Sequence, residues 1–270
     1  MSHSANINKV FTKCHAENRL AFVAYIAAGD PDFQTSLKIV DMLVDAGIDI
    51  LELGVPFGDP LADGQANQLA SQRALESGMT VNKILDFVDC VRQKHPTLPI
   101  VLFTYLNPIA YGYDFEDFCK KACSKGVDSA LLLDLPPDEG ADYWKVVNAF
   151  GLGKIGLVAP TTSEDRLETI CKNATDFIYY VSQTGVTGAR DKLAEGIEDS
   201  ISAIRQHTSL PIVVGFGISK PSHITELKKI SDLSGVVVGS AIVKKVEELS
   251  HGKTDLSAIG KFVSSLTTKN

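Results

Sequence analysis

A single carboxylate, Glu52, stands inside an apolar run between Leu51 and Leu53. Side chains alternate between the two faces of a strand, so in a strand Glu52 points away from both leucines. If both faces are covered, the carboxyl loses its water, and burial raises its pKa toward neutrality. Such a group can give and take a proton near neutral pH, which predicts general acid–base chemistry at Glu52.

A second carboxylate, Asp63, follows in the segment Pro60-Leu61-Ala62-Asp63-Gly64. Ala-Asp-Gly is also a common turn sequence, in which the Asp binds backbone amides, so a turn role stays open for Asp63. Two carboxyls on a strand end and the following loop can converge on one ligand, with pKa values that their environments set apart. Asp59 has the Asp-Pro context of a solvent-facing turn, and we leave it out of this pair.

Two glycine clusters lie where a phosphate group could bind. One is Gly215-Phe216-Gly217-Ile218-Ser219, and the other is Gly239-Ser240, which ends an apolar run and opens an amphipathic stretch. Glycine also serves simply to permit tight turns. In closed parallel barrels, however, the loops after the last two strands and a helix N-terminus frequently bind phosphate. The two clusters together therefore predict a phosphate site.

The elements that must position these residues follow from eight apolar runs. Nearly continuous apolar strands that alternate with amphipathic stretches are typical of parallel sheets covered on both faces. The predicted strands are Ala21 to Ala27, Ile48 to Leu53, Ile100 to Tyr105, Ser129 to Leu133, Ile155 to Val158, Phe177 to Val181, Pro211 to Val214 and Val236 to Val238. The predicted helices include Ile7 to His15, Ser36 to Ala46, Val81 to Gln93, Asp114 to Lys125, Lys192 to Gln206, Lys244 to Leu249 and Leu256 to Leu266.

Eight strands in 270 residues predict a (β/α)8 TIM barrel with a short N-terminal helix, since such barrels need about 250 residues. No linker divides the chain, so we expect a single domain over residues 1–270. The Gly-x-Gly-x-x-Gly turn of a dinucleotide-binding fold is missing after the first strand. That absence argues against an open doubly wound sheet.

Composition excludes several functions. The net charge of −7 argues against a nucleic-acid partner. Five cysteines without paired spacing predict reduced thiols and a cytoplasmic protein, and the six histidines are scattered, so no metal site is expected. The first residues lack an apolar leader, and no apolar stretch approaches the ~20 residues of a membrane span.

The chain resembles the alpha subunit of tryptophan synthase over nearly its full length. The resemblance is carried by the segments Leu51 to Gly64, Phe22 to Pro31, Gly185 to Gly188 and Gly215 to Ser219. It implies a lyase that cleaves indole-3-glycerol phosphate to indole and glyceraldehyde 3-phosphate, in tryptophan biosynthesis, with no cofactor of its own. Its implied partner is a pyridoxal-phosphate beta subunit in an alpha2-beta2 complex.

The same resemblance implies roles for individual residues. Glu52 is expected to be the catalytic acid–base and Asp63 its partner, while Thr187 belongs to a loop that closes toward Asp63. Backbone amides at Gly188, Gly217, Gly239 and Ser240 are expected to hold the phosphate. From their own positions at predicted strand ends, four residues could line an apolar slot for an aromatic ring, although core packing stays open for each: Tyr25, Tyr105, Tyr179 and Leu133. In the family, Tyr179 matches a Tyr beside the catalytic Glu, and Tyr25 stands where Phe is usual.

Two positions depart from the family pattern, Gly58 and Gln65, where many relatives have Ser and Pro. Both lie in the segment expected to face the partner, so they bear on subunit communication more than on catalysis. Two other interpretations stay open. One is a different phosphate-anchored barrel, such as a sugar-phosphate isomerase, and the other is a ligand-binding subunit without activity. The presence of both Glu52 and Asp63 argues against the second.

Overall fold

All strands of the chain are parallel and belong to one sheet. The computed structural model describes residues 4–182, 196–215 and 217–267, and within these ranges the sheet order is β5-β4-β3-β2-β1-β9-β8-β7-β6. The strands are β1 (Ala21–Ala27), β2 (Ile50–Gly54), β3 (Ile100–Thr104), β4 (Ser129–Leu132), β5 (Gly153–Lys154), β6 (Gly156–Val158), β7 (Ile178–Val181), β8 (Ile212–Gly215) and β9 (Leu233–Val238).

The sheet closes on itself at Ile155. Strand β5 pairs with β4 and strand β6 with β7, and only Ile155 separates β5 from β6. The Ile155 amide donates to the Ala130 carbonyl at 3.2 Å, and the next amide, of Gly156, donates to the Phe177 carbonyl at 3.2 Å. Residues 153–158 therefore act as one barrel strand that changes partner midway. The predicted (β/α)8 barrel is confirmed, with its fifth strand divided in two.

Helices surround the barrel and also cover its amino-terminal end. They are α1 (Ser4–Ala16), α2 (Phe33–Asp45), α3 (Gln65–Glu76), α4 (Val81–Lys94), α5 (Asn107–Ala110), α6 (Phe115–Lys125), α7 (Ala141–Ala149), α8 (Glu164–Asn173), α9 (Ile197–Arg205), α10 (Pro221–Leu227), α11 (Ser240–Ser250) and α12 (Leu256–Thr267). In the described part of the chain, no helix is long and apolar enough to cross a membrane.

Three helices bear on the sequence predictions. The expected N-terminal helix is α1, whose Phe11 ring meets the Phe177 ring edge-on at 5.7 Å beneath the barrel. The helix predicted from Lys192 is described from Ile197 onward. Helix α3 was not predicted, because the residues after Asp63 resemble a loop in sequence.

Side-chain alternation on β2 divides the core into two layers. Leu51 and Leu53 face outward into the layer between sheet and helices. Their neighbour Glu52 faces the barrel interior, where it is level with Tyr25 on β1 and Val101 on β3. The predicted orientation of Glu52 is confirmed.

An ion pair fixes helix α3 against the loop after β1. Asp30 is 3 % exposed and accepts two hydrogen bonds from Arg73 on α3, both of 2.8 Å. The Arg73 guanidinium also lies 3.9 Å from Glu247 on α11. Arg73 therefore connects the helix that follows Asp63 with the helix that begins at Ser240.

A packing gap lies outside the divided strand. A cavity of about 260 Å³ opens between α7 and α8, where Trp144 and Ile170 face Ile155 and Gly156. This cavity borders the place where the hydrogen-bond ladder of the described sheet is shortest, with two residue pairs between β4 and β5.

Candidate active site

A cavity of about 550 Å³ occupies the mouth of the barrel, at the carboxyl ends of the strands. In closed barrels this is the end that carries function. The lining residues come from β1–β3, α3 and β7–α11: Tyr25, Glu52, Gly64, Gln65, Ala66, Asn67, Phe103, Tyr179, Val181, Ser182, Gly215, Gly217, Ile218, Val237, Gly239, Ser240 and Lys244.

Glu52 is a buried acid on the wall of this cavity. Its side chain is on the cavity wall, yet the residue is 1 % exposed, and its Oε1 has no hydrogen-bond partner in the described residues. Burial, with a further contribution from the negative charge of Asp63, raises the pKa of Glu52 from 4.5 to about 8. The carboxyl can therefore hold a proton at neutral pH and also release it.

Asp63 has a different environment. Its Oδ2 accepts a hydrogen bond from the Tyr105 hydroxyl at 3.0 Å, and its Oδ1 accepts one from Nδ2 of Asn67 at 3.2 Å. Burial raises the pKa of Asp63, and these two donors oppose the shift because they stabilise the charged form. Asp63 is not among the residues that line the cavity, but its partner Asn67 is, and its negative charge acts on Glu52. The two carboxyls therefore lie near each other in different hydrogen-bonding environments.

Two of the predicted tyrosines line the cavity. Tyr25 and Tyr179 are both buried, and burial raises the pKa of each hydroxyl well above its usual value. Glycine makes room for both hydroxyls, since a Cβ at Gly54 would lie 2.5 Å from the Tyr25 Oη and one at Gly215 2.3 Å from the Tyr179 Oη. Phe103 meets the Tyr25 ring edge-on at 5.0 Å and adds an apolar wall.

The other two residues predicted for the apolar slot, Tyr105 and Leu133, do not line this cavity. Tyr105 does not line the cavity, because its hydroxyl is engaged with Asp63 and accepts the Ala62 amide at 2.9 Å. Its ring also packs against Phe57 at 5.5 Å. Tyr105 therefore orients the loop that carries Asp63, which the sequence did not indicate. Leu133 lines the smaller cavity beside the divided strand.

The opposite side of the cavity is suited to an anion. Helix α11 begins at Ser240 after Gly239, and both residues line the cavity, so the helix N-terminus faces the open space. Gly217 adds a backbone with φ of 27°, a left-handed conformation that favours glycine. Lys244, four residues after Ser240 on the same helix, places a cation at this end. Partial positive charge and backbone amides at a helix N-terminus attract phosphate.

Two predicted residues, Thr187 and Gly188, lie outside the described residues, as does the whole predicted loop from Gly185 to Gly188. Conversely, the structure adds Asn67 and Lys244 to the site. Asn67 could have been found from its spacing, since a residue four positions after Asp63 lies next to it if a helix begins at Gln65.

A buried carboxyl with a raised pKa at the mouth of a closed parallel barrel is typical of one class of protein, the (β/α)8-barrel enzymes. Residues 11–268 match the family model described as tryptophan synthase alpha chain. The chain belongs to the tryptophan synthase alpha chain family.

Individual relatives agree with this membership. The alpha chain of Opitutus terrae is 45 % identical over 244 residues, which is 90 % of each chain. The crystal structure of tryptophan synthase subunit alpha from Legionella pneumophila superposes with a TM-score of 0.89 at 32 % identity, covering 98 % of this chain and 97 % of that one. A structure of the tryptophan synthase a2b2 complex from Pyrococcus furiosus superposes with a TM-score of 0.84 at 35 % identity, covering 93 % of this chain and 98 % of that one.

Proposed function

We propose that this chain cleaves indole-3-glycerol phosphate to indole and glyceraldehyde 3-phosphate, the alpha reaction of tryptophan biosynthesis. The observation that carries the proposal is the Glu52 carboxyl, which is buried on the cavity wall, has no partner for its Oε1 among the described residues, and has its pKa raised to about 8. The reaction is a retro-aldol cleavage. It requires one proton to be delivered and another to be removed, which a group with this pKa can do.

Glu52 would move both protons. Its protonated carboxyl delivers a proton to C3 of the indole ring, which leaves positive charge on the ring. The resulting carboxylate takes the proton from the hydroxyl on the adjacent side-chain carbon. The bond between C3 and that carbon breaks, an aldehyde forms, and the bonding electrons return to the ring and neutralise it. Glu52 ends in its starting protonation state, so no cofactor is required in this proposal.

Asp63 would stabilise the charged ring. A carboxylate that accepts the ring N–H lies where positive charge develops, and such electrostatic stabilisation is often the largest catalytic contribution. The donors from Tyr105 and Asn67 keep Asp63 oriented and favour its ionised form. Glu52 and Asp63 would thus divide proton transfer and charge stabilisation between them.

The phosphate would bind at the other side of the cavity. Gly217, Gly239 and Ser240 offer backbone amides and the start of α11, and Lys244 offers a positive charge. The indole ring would lie between Tyr25, Tyr179 and Phe103, whose aromatic surfaces suit a flat apolar group. Anchoring the phosphate holds the reacting carbon beside Glu52.

We further propose that a pyridoxal-phosphate beta subunit docks over the barrel mouth in an alpha2-beta2 complex. Leu61 is 84 % exposed in the loop next to Asp63, and Tyr111, after α5, is 82 % exposed. Both residues follow the carboxyl ends of strands, β2 and β3, so a partner seated at the barrel mouth could cover them. The Pyrococcus furiosus relative is described as an a2b2 complex, which supports the same assembly here.

Docking would also serve the chemistry. Indole is small and apolar, so it escapes unless a second site consumes it. A cytoplasmic location belongs to this proposal, and the five unpaired cysteines support it.

The test is indole release by the purified chain, with and without a beta subunit. Glu52→Gln keeps the size and polarity of the side chain but cannot exchange the proton, so indole release should fall to background. The exposed Glu76 on α3 provides a matched control, and Glu76→Gln should behave like the wild type. Glycerol 3-phosphate should still bind to Glu52→Gln, which shows that the site is folded. Near-normal turnover by Glu52→Gln would overturn the mechanism.

A further inference from the structure

Asn67 is a polar side chain on the cavity wall. The proposed reaction gives a role to its amide nitrogen, which contacts Asp63, and none to its amide oxygen. Asn67 lies in the first turn of α3, four residues after Asp63, and lines the cavity with Glu52. Its amide has two ends, a donor and an acceptor, and within the described residues only the donor end has a partner.

The donor end is fixed by Asp63. Nδ2 of Asn67 donates to Oδ1 of Asp63 at 3.2 Å, and the other oxygen of Asp63 is held by Tyr105. An ionised carboxylate can only accept hydrogen bonds, so the amide nitrogen must face it. This contact therefore fixes the orientation of the whole amide group, including its oxygen.

The acceptor end has no donor. Oδ1 of Asn67 is buried, and in the described part of the chain it makes no hydrogen bond. Buried polar atoms nearly always find a partner, because leaving one unpaired costs free energy. An unpaired acceptor on the wall of an active-site cavity therefore indicates a donor on the ligand.

We propose that Asn67 contacts the substrate, its Oδ1 accepting a hydrogen bond from the ring N–H of the indole group. This inference rests on the proposed function, in which the same N–H approaches Asp63, so the two acceptors share one donor in a three-centre hydrogen bond. In the proposed binding mode, the substrate hydroxyl next to the ring pairs with Glu52, and the second hydroxyl is on the side of the phosphate and α11. The ring N–H is then the donor left for Asn67.

Asn67→Leu tests this contact, with Gln72→Leu as the matched control. Leucine keeps the volume and removes both amide ends, and Gln72 is an exposed residue of the same helix. In the reverse reaction, from indole and glyceraldehyde 3-phosphate, the KM for indole should rise about threefold to tenfold, the effect of one neutral hydrogen bond. Affinity for glycerol 3-phosphate should not change, because that ligand has no ring.

1-Benzothiophene separates the hydrogen bond from packing, because sulfur replaces the N–H in a ring of similar shape. As a competitor of indole it should bind Asn67→Leu and wild type equally well. Equal losses for indole and benzothiophene would show that Asn67 only packs against the ring and would overturn the proposal.

Asn67→Asp provides a second, opposite change. It keeps an acceptor oxygen but loses the donor, and it places a second carboxylate next to Asp63, so one of the pair must bind a proton more tightly. The acid limb of the pH–rate profile should move up by about one pH unit or more. Above that limb, the KM for indole should return toward the wild-type value. Gln72→Glu adds the same charge at the helix surface and should leave the profile in place.

The wild-type measurement separates the two proposals. If wild type releases indole and Asn67→Leu has the same KM for indole as Gln72→Leu, the Asn67 inference fails and the proposed function stands. If wild type releases no indole even with a beta subunit, the proposed function fails and the Asn67 inference fails with it.

Discussion

Replacing Glu52 by Gln should stabilise the fold at alkaline pH, although it removes the proposed acid–base group. In the unfolded chain the carboxyl has its ordinary pKa of 4.5, and in the folded chain burial raises the pKa to about 8. The folded state therefore binds more protons between these values, and stability falls as the pH rises through this range. Below pH 4.5 both states carry the proton, and above about pH 8 the full cost of a buried charge is present.

The size of the effect follows from the two pKa values. A difference of one pKa unit corresponds to 1.36 kcal/mol, so the interval between 4.5 and about 8 amounts to about 5 kcal/mol. Glutamine carries no charge at any pH, so it avoids this cost. The free energy of unfolding of Glu52→Gln should equal that of the wild type near pH 4.5 and exceed it by several kcal/mol at pH 9.

Urea denaturation followed by circular dichroism, at intervals between pH 5 and pH 9, measures this difference directly. Glu76→Gln serves as the control, because it makes the same substitution at an exposed residue of α3. A difference between Glu52→Gln and wild type that does not change with pH would refute the reasoning, because it would mean that Glu52 ionises in the folded chain at no cost.

Three further changes probe the rest of the site. Asp63→Asn should reduce indole release on the order of 10²-fold at saturating substrate, and a loss below tenfold would limit Asp63 to a turn role. An Asp at position 240 is favourable for the dipole of α11, so Ser240→Asp should keep the thermal midpoint of unfolding. It should weaken the binding of inorganic phosphate more than tenfold in a titration, and unchanged affinity would place the phosphate elsewhere. Arg73→Met leaves the buried Asp30 unpaired and should lower the free energy of unfolding in urea at pH 7 by about 3–5 kcal/mol. Adding Asp30→Asn to Arg73→Met should restore part of that loss, and no recovery would argue against the ion pair as its source.

The barrel and the position of Glu52 could be predicted from sequence because both depend on local patterns. Continuous apolar runs indicate strands covered on both faces, and alternation along β2 places Glu52 opposite Leu51 and Leu53. Gly239 and Ser240, which line the cavity, were singled out because a glycine stands at a strand end. Each strand and the orientation of Glu52 follow from the residues of one segment, and the barrel follows from the number of such segments.

Helix α3 could not be predicted in the same way. The Ala-Asp-Gly sequence before it suggests a turn, and its buried residues, Ala70, Ser71 and Ala74, are too small to give a clear apolar stripe. Asn67 was missed as a consequence, because its contact with Asp63 exists only on a helix. The position of Tyr105 depends on where the tip of a long side chain ends, which strand alternation does not determine.

The division of the fifth strand could not be predicted from the sequence either. Ile155 to Val158 was predicted as one strand, whereas Ile155 separates two short ladders with different partners. Pairing register is a property of the assembled sheet, since the same residues could pair continuously with either neighbour.

This division distributes the hydrogen bonds unevenly around the barrel. Strand β5 shares two residue pairs with β4, whereas β1 and β2 share five. In the circular order of the sheet, the divided strand lies across the barrel from β1. The longest ladder of the described sheet therefore joins the two strands that carry Tyr25 and Glu52, and it fixes the register of these side chains on the side of the barrel where the proposed chemistry takes place.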